Sequence, residues 1–297
     1  SFTRSGGDVL SSGRKDGDYF KYGFGMNTIH NLLVFTADGQ SYMIPVYQIP
    51  EYKWKDTGTA LVNVISMRAQ DRIVAVQPVV DFGQASASLL FVTKRGQVKR
   101  TELQAYESNR AGGIVACKLN EGDEVVAVLY SDDRVQDELM LVTRLGQSIR
   151  FAADGIKPMG RNSAGVRGIQ LNEDDEVIEA FRLEDHAQEL LVITERGYAK
   201  RTPLAEYAPQ GRGGKGMHTV EFRAGRRPNG EYLVGASLYA PTMQFQAVLE
   251  DGTIDTITGD QVPIEERRSP GKQLVQAKKD NTIAAFWPLP ERPGTEE

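Results

Sequence analysis

Short apolar runs, each closed by a polar turn, recur along the chain. They read LLVFTADGQSYMIPV around Gly39, LLFVTKRGQVKRTEL around Gly96, LMLVTRLGQSIRFAA around Gly146 and LLVITERGYAKRTPL around Gly197. A weaker copy, MQFQAVLEDGTIDTI, surrounds Gly252. The glycines stand 57, 50, 51 and 55 residues apart. Runs such as Leu190-Leu191-Val192-Ile193-Thr194 are short, rich in β-branched residues and bounded by turn formers, which predicts strands. The Thr-x-x-Gly turn predicts a hairpin, with the glycine supplying a positive φ. No window of 11 or more residues carries a convincing helical period.

A second landmark runs in step with the first. It is a polar turn followed by a short β-rich run: DGDYFKY at Asp18, AQDRIVAV at Asp71, EGDEVVAV at Asp123, EDDEVIEA at Asp175, PNGEYLVGA near Gly230 and KDNTIAAF near Asn281. Counting this landmark gives six copies of a unit of about 52 residues. Four strands per unit, six times over, predicts an all-β, propeller-like disc in which each sheet hides its faces against its neighbours. One domain is expected over residues 1–290, with residues 291–297 a flexible tail; the Pro-rich WPLPERPGTEE, from Trp287 on, reads as frayed.

Composition narrows the class. The chain has 297 residues, 40% of them hydrophobic and 25% charged, which suits a packed domain rather than a disordered one. Cys117, the one cysteine, lies in the apolar GGIVACKL and reads as a buried small hydrophobe; its solitude fits a reducing cytoplasm. No stretch approaches the apolar length of a membrane helix. The start, SFTRSGGDVL, is no signal peptide and lacks an initiator Met, so a fragment of a larger protein is expected.

The net charge is −5 and the pI about 5.5, which taken alone argues against nucleic acid. The distribution changes that. A Gly-rich basic loop recurs from unit to unit: YKWKDTGTA with Lys53 and Lys55, SNRAGGI with Arg110, GRNSAGVRGI with Arg161 and Arg167, QGRGGKGM with Arg212 and Lys215, and ERRSPGKQL with Arg267, Arg268 and Lys272. The first unit holds only a remnant, TRSGGD. Basic strands precede several loops: VKRT with Lys99 and Arg100, SIRF with Arg150, and AKRT with Lys200 and Arg201. The acids fill the turns Asn120–Glu124 and Asn172–Glu176. In a cyclic array one repeat phase becomes one zone of the disc, so the cations form a belt and the acids a separate surface. Glycines allow close backbone approach, and Arg and Lys neutralise phosphates. Such a track suits the DNA backbone and carries no base code. Taken singly, each loop reads more readily as an ordinary solvated turn; its recurrence in phase is what favours the track.

Other motifs carry less. Gly211, Gly213 and Gly216 match G-x-G-x-x-G, but the next residues, MHTVEF, read as a strand and not as the helix a dinucleotide site needs. Lys215 precedes Gly216, not the Ser or Thr of a P-loop. His30, His186 and His218 share no metal-ligand spacing, and the acidic turns lack that of an EF-hand, so no metal site is expected. No nucleophile and base stand out as a catalytic pair. Trp54 reads as a packing residue between units.

The loop Gln210-Gly211-Arg212-Gly213-Gly214-Lys215-Gly216 resembles the gyrase box, Q-R-R-G-G-K-G, of the C-terminal domain of the DNA gyrase A protein. The repeated LxxVTxxGxxKRT, GDEV and AxGVRGI segments resemble the blades of that type IIA topoisomerase family over nearly the whole chain. The resemblance implies a six-bladed β-pinwheel whose blades exchange strands. It implies a bacterial, cytoplasmic, nucleoid-associated, monomeric module that binds and bends duplex DNA. The box stands in the fifth unit instead of the first and has Gly211 in place of Arg, while PEYKWKD is similar to the A subunit of topoisomerase IV from Gram-positive bacteria. These features favour topoisomerase IV, with gyrase and its chiral wrapping as the alternative and a propeller-type protein-interaction scaffold behind both. The resemblance further implies partners: the catalytic core of the same polypeptide and an ATPase B subunit in a heterotetramer. The catalytic tyrosine would lie outside this chain, and the enzyme's ATP and Mg²⁺ would not bind here.

Overall fold

The computed structural model describes residues 22–53, 56, 58–68, 70–132, 137–183, 189–226 and 228–289. The described secondary structure is strands and short 3₁₀ turns. The first unit supplies β1 (Asn31–Thr36), β2 (Gln40–Pro45) and β3 (Ile73–Val79). The second supplies β4 (Ala87–Thr93), β5 (Gln97–Glu102), β6 (Ile114–Val115) and β7 (Val125–Asp132). The third has β8 (Glu138–Thr143), β9 (Gln147–Ala152), β10 (Val166–Arg167) and β11 (Val177–Leu183). The fourth has β12 (Glu189–Thr194), β13 (Tyr198–Pro203), β14 (Met217–His218) and β15 (Leu233–Leu238). The last has β16 (Gln244–Leu249), β17 (Ile254–Thr258), β18 (Lys272–Gln273) and β19 (Ile283–Pro288).

Each of the first four hairpins is closed by its threonine. The hydroxyls of Thr36, Thr93, Thr143 and Thr194 accept the N–H four residues on, at 3.0–3.2 Å, while the turn glycine takes a φ near +80°. The first hairpin strand then pairs with the strand that comes after the polar turn, and the second with a two-residue strand lent by the next unit. The sheets run β3-β1-β2-β6, β7-β4-β5-β10, β11-β8-β9-β14 and β15-β12-β13-β18, with β19-β16-β17 last. Strands β3, β7, β11, β15 and β19 touch one another in series and line the axis. The lent strands β6, β10, β14 and β18 form the rim.

The described residues thus build five blades, not the expected six. Each blade is built on one hairpin, and the described residues hold five of them. The sixth copy rests on the polar-turn landmark at Asp18, which lies outside the described residues, as do the TRSGGD remnant and the tail 291–297. The last sheet has three strands among the described residues. Fraying does not begin at Trp287: Trp287 and Pro288 belong to β19 and pair with Gln246 and Phe245.

Packing explains the unbroken apolar runs. Leu89 and Phe91 pack toward the first blade with Leu33, Phe35 and Tyr106, while Leu90 and Val92 pack toward the third with Leu139 and Leu141. The same alternation joins Met140 and Val142 to Leu190 and Val192, and Leu191 and Ile193 to Phe245 and Ala247. Both faces of each middle sheet are buried, so both side-chain phases must be apolar. Cys117 sits in the first inter-blade core, where burial raises its thiol pKa.

Candidate nucleic-acid interface

Each Gly-rich loop that ends in a lent strand crosses the rim to deliver it, and the loop's last glycine is fixed by that crossing. Gly113, Gly165, Gly216 and Gly271 have φ of +72°, +90°, +74° and +80°. A Cβ on Gly216 would stand 2.4 Å from the Ser148 carbonyl of the preceding blade. The closing glycine of the box-like loop is therefore required by blade-to-blade packing. Within that loop Gln210 and Gly213 donate backbone N–H bonds to the Arg150 and Gly168 carbonyls at 2.7 and 2.8 Å, and the Gly214 carbonyl accepts from Gln170 at 2.8 Å. Gly211 is open, with nothing near the position a Cβ would take.

The loops project cations at the rim. Lys53, Arg110, Arg167, Arg212, Lys215, Arg268 and Lys272 are exposed; Arg161 and Arg267 are half-buried. Three arginines repeat one contact. Arg161 Nη1 donates to the Val115 carbonyl at 2.7 Å, Arg212 Nη1 to that of Arg167 at 2.5 Å, and Arg267 Nη1 to that of His218. Each acceptor ends the strand lent by the preceding unit, so the cations are stitched from blade to blade along the rim. Each of these contacts uses a single nitrogen of the guanidinium. Lys55 and Trp54 lie outside the described residues.

The basic strands play another part. Lys99 and Lys200 are 1% exposed and cannot reach a ligand at the surface. Lys99 Nζ donates to the carbonyls of Ala116 and Arg161 at 2.7 and 2.6 Å. Lys200 Nζ donates to those of Glu266 and Arg267 at 2.7 and 2.6 Å. Burial lowers both ammonium pKa values to about 8. Arg100 is also buried and donates to the Ala153 carbonyl at 3.1 Å. Half-buried Arg150 and Arg201 pair with Glu138 and Glu189 while donating to the Leu204 and Val262 carbonyls of the next blade. The sequence pattern places these five residues on the belt, and the structure does not. They instead hold the next unit's backbone, because a strand flanked on both faces by other blades turns all or most of each side chain inward.

The acidic turns likewise differ from the expectation of a separate acidic surface. Asp123 and Asp175 are buried, at 7% and 3% exposure. The Asp123 carboxylate accepts from the Arg95 and Glu124 amides at 2.9 Å each; Asp175 accepts from the Thr143 hydroxyl and from the amides of Leu145 and Glu176 at 2.7–2.9 Å. They brace the hairpin turns. The exposed acids of these two turns are Glu121, Glu173 and Asp174. The turn pattern signalled the bracing, since Asp before a strand commonly accepts backbone N–H bonds. His218 is exposed and contacts Gln147, and His186 lies outside the described residues.

A family model described as the DNA gyrase C-terminal domain, β-propeller, matches residues 30–79, 87–132, 137–184 and 188–238. Each matched segment runs from one hairpin to its axial strand. The DNA gyrase A protein of Mycolicibacterium smegmatis is 36% identical over 286 residues, which take in 95% of this chain and 33% of that protein. The chain thus spans about a third of the length of such relatives. The crystal structure of the C-terminal domain of DNA topoisomerase IV superposes with a TM-score of 0.81 at 27% identity, covering 89% of this chain and 80% of that one. A gyrase A C-terminal domain structure superposes at 0.70 with 19% identity, covering 97% and 93%, a likeness of fold.

Proposed function

Because the chain belongs to the DNA gyrase A C-terminal β-propeller family, we propose that it holds and bends duplex DNA along its rim, without regard to sequence and without catalysis of its own. The observation that carries this reading is the recurrence of Arg161, Arg212 and Arg267 at one position of the repeat, each stitched to the preceding blade, with exposed Arg167, Lys215, Arg268 and Lys272 in the same loops. A flexible basic side chain at regular intervals suits a phosphate backbone, and nothing in the loops is shaped to read a base edge. The acidic total does not oppose this, since binding follows the local field.

The wider roles rest on the same family. The module would present DNA to the catalytic core of its own polypeptide, inside an assembly with an ATPase B subunit. ATP and Mg²⁺ would act elsewhere in that assembly, and none of the 11 tyrosines here would be the cleaving one. The displaced box with Gly211 supports a topoisomerase IV type, as does the likeness to the topoisomerase IV domain. The gyrase type is supported by the relatives that bear that name. A supercoiling assay of the full A protein with its B partner separates the two: net introduction of negative supercoils means gyrase, and relaxation or decatenation alone means topoisomerase IV.

The test of the DNA reading is a salt titration of duplex affinity. If roughly 6–10 phosphates are neutralised, affinity falls about 10³–10⁵-fold between ~50 and ~200 mM salt. Arg167→Ala, Arg212→Ala and Lys215→Ala should each flatten the log–log slope by about 1. A flat salt response in the unsubstituted protein, or strong preference for one sequence, would sink the reading.

A further inference from the structure

The polar turns before the axial strands change sign around the disc. The second unit's turn, Asn120–Glu124, carries three acids, and the third's, Asn172–Glu176, carries four. In the fourth unit the corresponding stretch is EFRAGRRPNGEY, with Arg223, Arg226 and Arg227 before Glu231. In the fifth, Lys278 and Lys279 precede Asp280, with Lys279 where the third has Glu173, so this turn is net positive.

The neighbouring contacts change accordingly. In the earlier units a cation finds an acid across the blade boundary: Arg72 pairs with Glu124 at 2.7 Å and Lys94 with Glu176 at 3.0 Å. Arg144 occupies the place of Lys94, and the residue in the place of Glu176 is Tyr232. The Arg144 guanidinium stacks on that ring, 3.9 Å from its centre. A ring thus stands where the earlier unit has an acid. Arg223 and Arg226 are exposed, and neither guanidinium has a hydrogen-bond or ion-pair partner among the described residues.

This turn is fastened to the rim loop beside it. Asn229 is 1% exposed. Its side chain accepts from the Arg223 amide at 2.6 Å and donates to the Glu221 and Pro270 carbonyls at 3.0 Å each. Pro270 lies between Arg268 and Lys272 in the last basic loop. One buried amide thus locks the arginine-bearing turn against a belt loop, and the positive surface widens off the rim at this blade.

We propose that Arg223 and Arg226 form a second phosphate-binding patch, off the belt, onto which a duplex held by the last two rim loops continues. The proposal rests on the DNA reading above and gives the path a direction. At the second and third blades the adjoining turn repels a phosphate chain; at the fourth it attracts one. The duplex therefore leaves the rim at the fourth and fifth blades.

The test compares three sets of variants on this chain, using a ~40 bp duplex and a salt titration of affinity. Arg223→Ala with Arg226→Ala should lower affinity several-fold and flatten the log–log salt slope by about 2, since each phosphate contact contributes about 0.9. Both side chains are exposed and lack partners among the described residues, so the melting temperature should hold. Glu121→Gln with Glu173→Gln, at the same repeat phase on the second and third blades, should leave the slope unchanged. Arg167→Ala with Arg212→Ala tests the belt itself. If the belt variant loses slope and the Arg223/Arg226 variant does not, the patch is overturned and the belt stands. If neither loses slope, the DNA reading fails with it. If the glutamine pair steepens the slope as much as the arginine pair flattens it, the duplex tracks the turns of every blade and the proposed exit is wrong.

Discussion

Replacing Gly197 by alanine tests the strand exchange directly, with Gly252→Ala as its internal standard. Both glycines sit at the same place in their hairpins, with φ of +78° and +84°. An alanine at either pays the left-handed backbone cost, about 1–2 kcal/mol, offset by about 0.4–1 kcal/mol of lost freedom in the unfolded chain. Of the two, Gly197 is covered by a lent strand. Its Cβ would stand 2.2 Å from the Val275 carbonyl oxygen and 2.8 Å from the Val275 Cβ, whereas Gly252 has nothing within 4 Å. Relieving the overlap means withdrawing the segment whose Leu274 and Val275 amides donate to the Gly197 carbonyl at 2.9 and 3.3 Å. Those two bonds contribute about 0.5–1.5 kcal/mol each, and displacing the fully buried Val275 side chain adds about 1–3 kcal/mol. Gly197→Ala should therefore cost about 3–5 kcal/mol against about 1 kcal/mol for Gly252→Ala. Urea unfolding monitored by tryptophan fluorescence and far-ultraviolet dichroism measures both. Equal losses would mean that the lent strand is not held against the hairpin and that the blades do not exchange strands.

The buried lysines make stability depend on alkaline pH. In the fold Lys99 and Lys200 titrate near 8, below their ordinary 10.5, so between those values the unfolded chain binds more protons and stability rises with pH. Tyr106 and Tyr207 are pushed above 10 by burial, so they lower stability as pH rises, and only beyond pH 10, outside the window of the test. Thermal melts from pH 7.5 to 9.5 should show a gain of up to about 1.4 kcal/mol per pH unit per lysine, absent in Lys99→Met with Lys200→Met; the same pH response in both proteins would refute the assignment. Asp175→Asn removes a buried carboxylate that accepts three bonds, and should cost about 2–4 kcal/mol in urea titrations, whereas exposed Asp174→Asn should stay within about 0.5 kcal/mol. Losses of similar size would contradict the bracing role.

How much of the fold the chain makes legible depends on where its side chains are buried. Hairpins announce themselves locally, because a threonine hydroxyl and a positive-φ glycine close the turn within a few residues. The unbroken LLFV and LLVI runs likewise signal sheets covered on both faces. The end of the array has a signal too: QFQAVL alternates, and β16 buries every second residue, as suits a terminal sheet. Counting the polar turn instead of the hairpin hides that signal. The lent strands are two residues long, too short for a period, and are legible only through family resemblance. Lysine in VKRT and AKRT misleads for a physical reason. Its charge suggests solvent, yet four methylenes let it lie inside the sheet stack while its ammonium bonds two carbonyls. The basic loops are legible because they recur in phase. Arg223 and Arg226 escape that pattern because they stand at the phase assigned to acids, where a comparison of turn charges between units reveals them.

In the function proposed above, the rim cations curve a duplex. Bending 20–30 bp by 40–90° costs on the order of 1–6 kcal/mol, more than one loop can offset and within reach of several acting together. Energy transfer between dyes at the ends of a ~40 bp duplex reports that curvature within the same stiffness scale. On binding the unsubstituted protein the ends should draw together. Neutralising the far loops, Lys53→Ala with Arg268→Ala and Lys272→Ala, should leave the duplex bound but straighter. An end-to-end distance unchanged by the unsubstituted protein, at saturating binding, would contradict the account and leave a straight electrostatic clamp.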